Sequence, residues 1–175
     1  MALDRQLSQL ELTVLGVVMK RGRCVAHAVV NEFAGSQTFA YRSGAGSIYP
    51  LLERLAKAGY LVASERKYSI TESGLGALRD WVRPPLDPES FSTNLDEIRS
   101  RVYFLRLLSP HEIDEFVKSA VAGLEGVLEE CKAALDAQRA SGDRFGEFAM
   151  LGAVRETEAR IAWLTELGEG LVSSV

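Results

Sequence analysis

The fold of this chain is decided by residues 42–61, which read RSGAGSIYPLLERLAKAGYL. Small polar residues open this stretch, and Gly59 stands where a left-handed cap would end a helix. The apolar residues recur at spacings of three and four, which places them on one helical face: Ile48, Leu51, Leu52 and Leu55. We therefore expect a short helix over residues 46–57, with one buried face and a polar, positively charged outer face. A DNA groove accepts a helix of this kind.

The flanking segments complete the pattern of a winged helix-turn-helix. Two amphipathic helices precede the stretch, and their apolar residues are Leu7, Leu10, Val14 and Val17, then Val25, Ala28, Val29 and Phe33. Two β-prone runs follow it, residues 60–63 and 68–71, and the polar residues 64–67 between them predict a tight hairpin. Residues 71–74 then start a fourth helix, whose apolar face is Leu75, Leu78 and Val82.

Prolines mark a boundary after this first half, because residues 83–88 hold three of the five prolines in the chain. Three helical segments follow, over about 96–107, 110–140 and 144–167, and Ser109-Pro110-His111-Glu112 is a capping-box start for the second. The predicted fold class is thus mostly α. It combines a winged helix-turn-helix domain over 1–84 with an α-helical dimerisation and effector domain over 85–175.

Charge divides between the two halves in a way that suits a DNA-binding protein. Taken alone, such a split could be an ordinary fluctuation of composition, and it gains weight because it coincides with the helix over residues 46–57. Residues 1–84 hold eleven Lys and Arg against seven Asp and Glu, a net charge of +4, whereas residues 85–175 hold nine against seventeen, a net charge of −8. A basic head on an acidic body directs one surface toward phosphate.

The two cysteines are far apart and the chain has only two histidines. We therefore expect a reducing, cytoplasmic setting and no metal site. No apolar run is long enough to cross a bilayer, so we expect no membrane span.

Several motifs resemble those of the PadR family of transcription regulators. The resemblance rests on residues 47–55 (SIYPLLERL) with 58–61 (AGYL), on residues 66–74 (RKYSITESG), and on residues 10–18 (LELTVLGVV) for the first helix. Residues 158–164 (EARIAWL) are similar to the last helix of family members with a long helical C-terminal domain. The resemblance implies a winged-helix transcription regulator, most often a repressor, that binds an operator as a homodimer. The motifs of the chain themselves call for no cofactor and no catalysis.

The residues predicted to contact DNA lie on the helix over 46–57, just before it, and on the wing. They are Arg42, Ser43, Gly46, Ser47, Tyr49, Arg54, Lys57, Arg66 and Lys67. Serines and backbone amides at a helix start suit phosphate, and the basic side chains suit phosphate or base edges. The resemblance implies that Tyr49 contacts DNA, since the family uses a tyrosine at this place. The partner would be a palindromic operator in double-stranded DNA.

The resemblance implies that the C-terminal helices form the dimer interface, with the N-terminal helix contributing. Two long amphipathic helices joined by a tight turn expose more apolar surface than one thin hairpin can bury. The residues assigned to the interface are Phe116, Leu124, Leu151, Ile161, Trp163 and Leu164. A helical cap over the first domain in a monomer is the alternative arrangement. A small-molecule effector or a stress signal would act between these helices or at the interface.

Two other function classes compete with a regulator. A winged helix can instead serve as a protein-interaction module, and such a module would show no salt-dependent affinity for DNA. An enzyme would need convergent catalytic groups, but the acidic pairs 129–130 and 156/158 diverge on their helices. The chain also has no glycine-rich phosphate loop after a strand and no nucleophile elbow. The sequence therefore favours a regulator.

Overall fold

The computed structural model describes residues 6–36, 39–84 and 96–172, and describes residues 39, 40, 43 and 172 by their backbone alone. The chain divides into two compact units, residues 1–92 and 93–175. The expected boundary between residues 84 and 85 lies at the edge of residues 85–95, which fall outside the described part of the chain.

The first unit has the winged helix-turn-helix architecture that the sequence predicts. Its elements are α1 (Gln9–Arg21), β1 (Cys24–Val25), α2 (Ala26–Ala34), α3 (Phe39–Gly44), α4 (Ile48–Lys57), β2 (Leu61–Ser64), β3 (Lys67–Ile70) and α5 (Glu72–Val82). A 3-10 turn, Ala45–Ser47, joins α3 to α4. Helix α1 begins with a capping box, in which Ser8 Oγ accepts from the Glu11 N–H and the Glu11 carboxylate accepts from the Ser8 N–H.

One apolar core lies among α1, α2 and α4, with contributions from the 3-10 turn, β2 and α5. Its buried members are Val14, Leu15, Val18, Val29, Phe33, Ala45, Ile48, Leu51, Leu52, Leu55, Leu61 and Leu78. All four apolar residues predicted for α4 belong to it. In α1 the buried stripe differs from the expected one, since Leu12, Val14, Leu15 and Val18 are buried while Leu10 and Val17 only pack against its edge.

Two valines assigned to the core by their spacing are exposed instead. Val25 lies in β1 rather than in α2 and is 42% exposed, because the chain is extended there and pairs with the wing. Val82 is the last residue of α5 and is largely exposed, one turn beyond the buried Leu78. Helical spacing alone could not show that the core ends before these positions.

The hydrogen bonds that cap the end of α4 are connected to those that cap the start of α5. The N–H groups of Gly59 and Tyr60 donate to the carbonyls of Ala56 and Leu55 at 3.0 Å each, which is the Schellman pattern, and Gly59 has the expected positive φ of 84°. The Thr71 hydroxyl donates to the Gly59 carbonyl at 2.7 Å and accepts from the Gly74 N–H at 3.2 Å. One side chain therefore joins the end of α4 to the start of α5.

The wing is a three-stranded antiparallel sheet in the order β1-β3-β2. Strands β2 and β3 pair from Leu61 opposite Ile70 to Ser64 opposite Lys67, which confirms the predicted tight hairpin. Its two-residue turn is Glu65-Arg66, and both residues have positive φ, as a type I′ turn requires. Strand β1 was not predicted, because two residues carry no strand pattern of their own.

The second unit contains α6 (Glu97–Val102), a 3-10 turn (Leu105–Leu107), α7 (Pro110–Ser141) and α8 (Arg144–Val172). The predicted capping box at Ser109 is present, and hydrogen bonds from Ser109 lower the pKa of the Glu112 carboxyl. Gly142 has positive φ and separates α7 from α8. These two helices pack against each other around Cys131, Leu135 and Val154.

Two expectations for this unit are wrong. The first helix ends at Val102 rather than near residue 107, because the chain turns at residues 103–104 before the short 3-10 segment. The spacing of Phe148, Leu151 and Val154 predicts that all three lie on the apolar face of α8, but Phe148 is 59% exposed. Asp96 caps α6 through the N–H groups of Ile98 and Arg99, and it also accepts a 3.1 Å hydrogen bond from Arg160 of α8. This bond ties the start of α6 to α8.

At Gly74, α5 lies close to Tyr60 and to Ile70 of the wing, and a side chain there should destabilise the first unit. A Cβ at Gly74 would lie 2.3 Å from the Tyr60 carbonyl oxygen and 2.7 Å from Ile70 Cγ1. We expect Gly74→Ala to lower the free energy of unfolding by about 1–3 kcal/mol, measured by urea unfolding at fixed protein concentration.

Gly76 provides the matched control on the same helix. A Cβ there would meet nothing within 4 Å, so Gly76→Ala should raise the free energy of unfolding by about 0.5–1 kcal/mol through helix propensity. Equal effects from the two substitutions would contradict the close approach of α5 to the wing.

Candidate nucleic-acid interface

The start of α4 differs from the capped helix start that the sequence suggests. Gly44 and Ser47 both have right-handed helical backbone angles, so α3, the 3-10 turn and α4 follow one another without an extended cap residue. The Ser47 hydroxyl donates to the Gly44 carbonyl at 2.7 Å, and the Ile48 N–H donates to the Ala45 carbonyl. The serine cap that the sequence suggests is therefore absent, and the Ile48 N–H is paired within the 3-10 turn.

Contacts with the core explain why α3 continues into α4. The Tyr41 ring packs edge-on against Phe33, with ring centroids 5.4 Å apart, and the Tyr41 hydroxyl lies 3.3 Å from Thr13 Oγ1. These contacts hold α3 against α2 and α1. Arg42 follows Tyr41 and is exposed, whereas the Ser43 side chain lies outside the described part of the chain. Gly46 and Ser47 are exposed on the 3-10 turn.

The outer face of α4 carries Tyr49, Glu53 and Lys57 in one row. These residues are four apart and all exposed, with Tyr49 at 46%. Tyr49 and Lys57 are where the sequence places them. Glu53 is absent from the predicted set, although its spacing from Tyr49 and Lys57 shows that it must share their face. Its carboxylate lowers the positive charge at the centre of the row.

Arg54 lies beside this row and faces a buried acid. Its side chain is 62% exposed, and its Nη2 lies 3.8 Å from Oε1 of Glu11, whose side chain is 2% exposed. Helix α1 supplies this partner from 43 positions earlier in the chain. Arg54 is thus both an exposed cation of α4 and the counter-ion of a buried carboxylate.

The wing adds further positive charge near its turn. Arg66 occupies the turn itself and Lys67 begins β3, and both side chains are exposed. Arg23, which the sequence reasoning missed, donates to the Glu65 carboxylate at 2.7 Å and also contacts the Ser64 carbonyl. Its position next to β1 makes it part of the wing. Within the described residues, no acidic side chain forms an ion pair with Arg66, Lys67 or Lys57.

The residues assigned to a dimer interface fall into two groups. Leu124 and Leu164 are buried within the single chain, whereas Phe116, Leu151, Ile161 and Trp163 are half-buried. Residues 161 and 163 are two apart on α8 and so project about 200° from each other. Leu151, like the buried pair, packs inside one chain, against the cluster of Cys131, Leu135 and Val154. Phe116, Ile161 and Trp163 keep part of their surface exposed.

Other reactive side chains of the described residues do not converge on a site. His27 is exposed and lies 3.2 Å from Asn31, and the exposed His111 faces Glu115. Burial raises the pKa of the Cys24 and Cys131 thiols, which disfavours the reactive thiolate. Within 6–36, 39–84 and 96–172, no three His, Cys, Asp or Glu residues could together hold a metal ion. No described helix is long and apolar enough to cross a bilayer.

A cleft of about 280 Å³ lies in the first unit beside the start of α1. Its lining residues are Gln6, Leu7, Leu12, Tyr60, Ala77, Asp80 and Trp81. No sequence pattern indicates this cleft, since its residues come from three separate segments. It places aromatic rings, an amide and a carboxylate around one opening.

Comparison with solved structures finds the same fold in PadR and PadR-like transcriptional regulators. Bacillus subtilis PadR in complex with operator DNA is 21% identical, with a TM-score of 0.72, covering 93% of this chain and 98% of that chain. The same protein has been solved with p-coumaric acid. The PadR-like regulator BC1756 from Bacillus cereus is 18% identical, with a TM-score of 0.75, covering 94% of this chain and 99% of that chain.

The Vibrio cholerae virulence activator AphA is also similar, at 18% identity and a TM-score of 0.74, covering 95% of this chain and all of that chain. No family model matches the sequence, and no curated protein matches it. The resemblance that the motifs predict is thus confirmed at the level of the fold.

The wing turn should be strained, and glycine should relieve that strain. L-residues with positive φ cost about 1–2 kcal/mol, and Arg66 has a φ of 62°. We expect Arg66→Gly to raise the free energy of unfolding by about 0.5–1 kcal/mol, measured by urea unfolding. Lys67→Gly removes the same charge from a paired strand residue and should instead lower it. A drop in stability in Arg66→Gly would contradict the turn geometry.

Proposed function

We propose that this chain is a DNA-binding transcriptional regulator without catalytic activity, acting in the cytoplasm as a dimeric repressor that an effector or stress signal releases from its operator. The observation that carries the proposal is the exposed row on α4, Tyr49, Glu53 and Lys57, beside Arg54 and held on a winged-helix core. The fold that presents this row is also that of PadR, which has been crystallised with operator DNA.

Charge supports the same role. The +4 half of the chain contains α4 and the wing, and Lys57, Arg66 and Lys67 are exposed there. Exposed cations neutralise phosphates and release the counter-ions that DNA carries, so affinity for DNA would fall as the salt concentration rises. Tyr49 offers both a ring and a hydroxyl to the groove or the backbone. Arg42, Gly46 and Ser47 lie before α4, where they would contact phosphate.

A homodimer would place two such heads on one operator. In helix-turn-helix dimers the half-sites of a palindrome lie about 34–36 Å apart, one turn of DNA. The half-buried side chains of Phe116, Leu151, Ile161 and Trp163 would be covered by the second copy. The acidic second unit would keep this part of the dimer away from phosphate.

Release by a small molecule is supported by the structure of PadR with p-coumaric acid. An effector between the C-terminal helices or at the dimer interface would change the spacing of the two heads and so the affinity for DNA. AphA is described as an activator, so the sign of regulation must be measured for this chain.

The first test is specific, salt-dependent binding to DNA. The full-length protein is used to enrich duplexes from a randomised library, and affinity for the enriched duplex and for a scrambled one is measured by fluorescence anisotropy over a salt series. We expect Lys57→Ala and Arg66→Ala each to reduce the slope of log K against log salt by about one, since each removes a cation that would neutralise a phosphate. Tyr49→Ala should reduce discrimination between the two duplexes.

Lys132→Ala is the matched control, because it removes an equal charge from the second unit, where Lys132 pairs with Glu129. It should leave both affinities unchanged. The regulator proposal would be wrong if no duplex is enriched and if binding is weak and unchanged by all four substitutions. That result would favour a protein-interaction module.

The second test is the oligomeric state. We expect a dimer by light scattering coupled to size exclusion, and Ile161→Asp or Trp163→Asp should dissociate it, since a buried carboxylate is costly. Ala162→Asp is the control, because Ala162 is exposed and points away from Leu164. A monomer in the unmodified protein, or equal dissociation by all three substitutions, would argue against this interface.

A further inference from the structure

We infer that Glu11 is a positioning residue for DNA recognition: it holds the guanidinium of Arg54 in place, so that sequence discrimination through α4 depends on an acid in α1. This inference rests on the proposed function. Its basis is that a carboxylate with only 2% of its side chain exposed lies at ion-pair distance from a cation that is 62% exposed on the outer part of α4.

The two oxygens of the Glu11 carboxylate have different partners. Oε2 accepts from the Ser8 N–H at 3.0 Å and lies 3.2 Å from Ser8 Oγ, which completes the α1 capping box. Oε1 lies 3.8 Å from Arg54 Nη2. The cap fixes the carboxylate because both ends of the box are anchored on the first turn of α1. The oxygen that faces Arg54 therefore has a fixed position relative to the core.

A fixed carboxylate restrains a long side chain that would otherwise sample many rotamers. An arginine loses rotamer entropy when it is immobilised, and an arginine already held in place loses less of it on binding a base or phosphate. The ion pair also opposes indiscriminate contact, since moving Arg54 away would take this cation from the buried carboxylate of Glu11. Both effects favour one geometry over many, which is what discrimination between sequences requires.

Glu11→Gln separates the two roles of this side chain. The amide oxygen of Gln can replace Oε2 in the capping box, because Gln also serves at this position of the box. Its NH2 group then replaces Oε1, and it cannot accept from or attract Arg54. The substitution should therefore remove the restraint on Arg54 and leave the cap in place.

The test measures discrimination by the full-length protein, as the ratio of affinities for the library-enriched duplex and its scrambled form. We expect Glu11→Gln to reduce this ratio by about three- to tenfold, as a coupling between contacting residues allows, with little change in affinity for the scrambled duplex. In an Arg54→Ala background, Glu11→Gln should cause no further reduction. Such non-additivity separates positioning from a general effect on the fold.

Glu32→Gln is the matched control, since Glu32 pairs with Arg21 in the same unit and the substitution makes the same charge change. It should leave the ratio unchanged, and the urea midpoints of both variants should match the unmodified protein. Arg54→Lys addresses the same point without altering a buried side chain. A positioned guanidinium would not be replaced by an ammonium group, so this variant should also lose discrimination.

The outcomes separate this inference from the function on which it rests. If Arg54→Ala reduces the ratio while Glu11→Gln leaves it intact, Arg54 acts alone and the inference is wrong. The same conclusion follows if Arg54→Lys retains full discrimination. If Tyr49→Ala reduces the ratio and Arg54→Ala does not, the regulator proposal stands and the inference is wrong, because Arg54 then has no role. If no duplex is enriched, the proposed function fails and the inference fails with it.

Discussion

The burial of four apolar side chains on α4 is the constraint on which the rest of the first unit depends. Ile48, Leu51, Leu52 and Leu55 are all at most 4% exposed, and each contributes about 1.5–3 kcal/mol by leaving water. A helix held on one face by four such residues cannot rotate without exposing them. The fixed orientation of α4 about its own axis then makes Tyr49, Glu53 and Lys57 point outward.

The ends of α4 are fixed by different means, and this difference matters for its role. At its C-terminal end, the Schellman cap at Gly59 and the Thr71 hydroxyl join the helix to α5. At its N-terminal end, α3 runs into it through a 3-10 turn that Tyr41 holds against Phe33. Binding by α4 in the proposed role would thus rely on side chains rather than on a free helix terminus. Glu53 lowers the positive charge of the outer face of α4, and Glu11 of α1 lies beside Arg54. In the proposed role these two acids would favour discrimination over raw affinity for phosphate.

The sequence was sufficient where local pattern and local chemistry agree. The buried face of α4, the cap at Gly59, the capping box at Ser109 and the two-strand hairpin follow from spacing and from residue type, and all are present. Local signals misled where tertiary contacts override them. Residues 43–47 look like a helix start, yet the contacts of Tyr41 keep the backbone helical through them.

Partners that are distant in sequence escaped prediction for a related reason. Glu11 meets Arg54, and Arg23 meets Glu65, across separations that no periodicity encodes. Strand β1 is too short to carry an alternating pattern, and it forms because β3 offers it a free edge. The contacts with DNA and with a second copy remain predictions, since they involve atoms of another molecule.

The arrangement of α8 limits how two copies could pair through their second units. Leu164 is fully buried in one chain, and Ile161 and Trp163 lie on either side of it, about 200° apart. A single partner helix lying along α8 could cover one of these side chains but not both. A two-fold symmetric contact uses the same patch on each copy. If both residues are covered in a dimer, α8 must therefore have a neighbour on each flank. Two α7–α8 hairpins packed as a four-helix arrangement would meet that requirement. Two hairpins in contact along a single face of each α8 would leave either Ile161 or Trp163 in water.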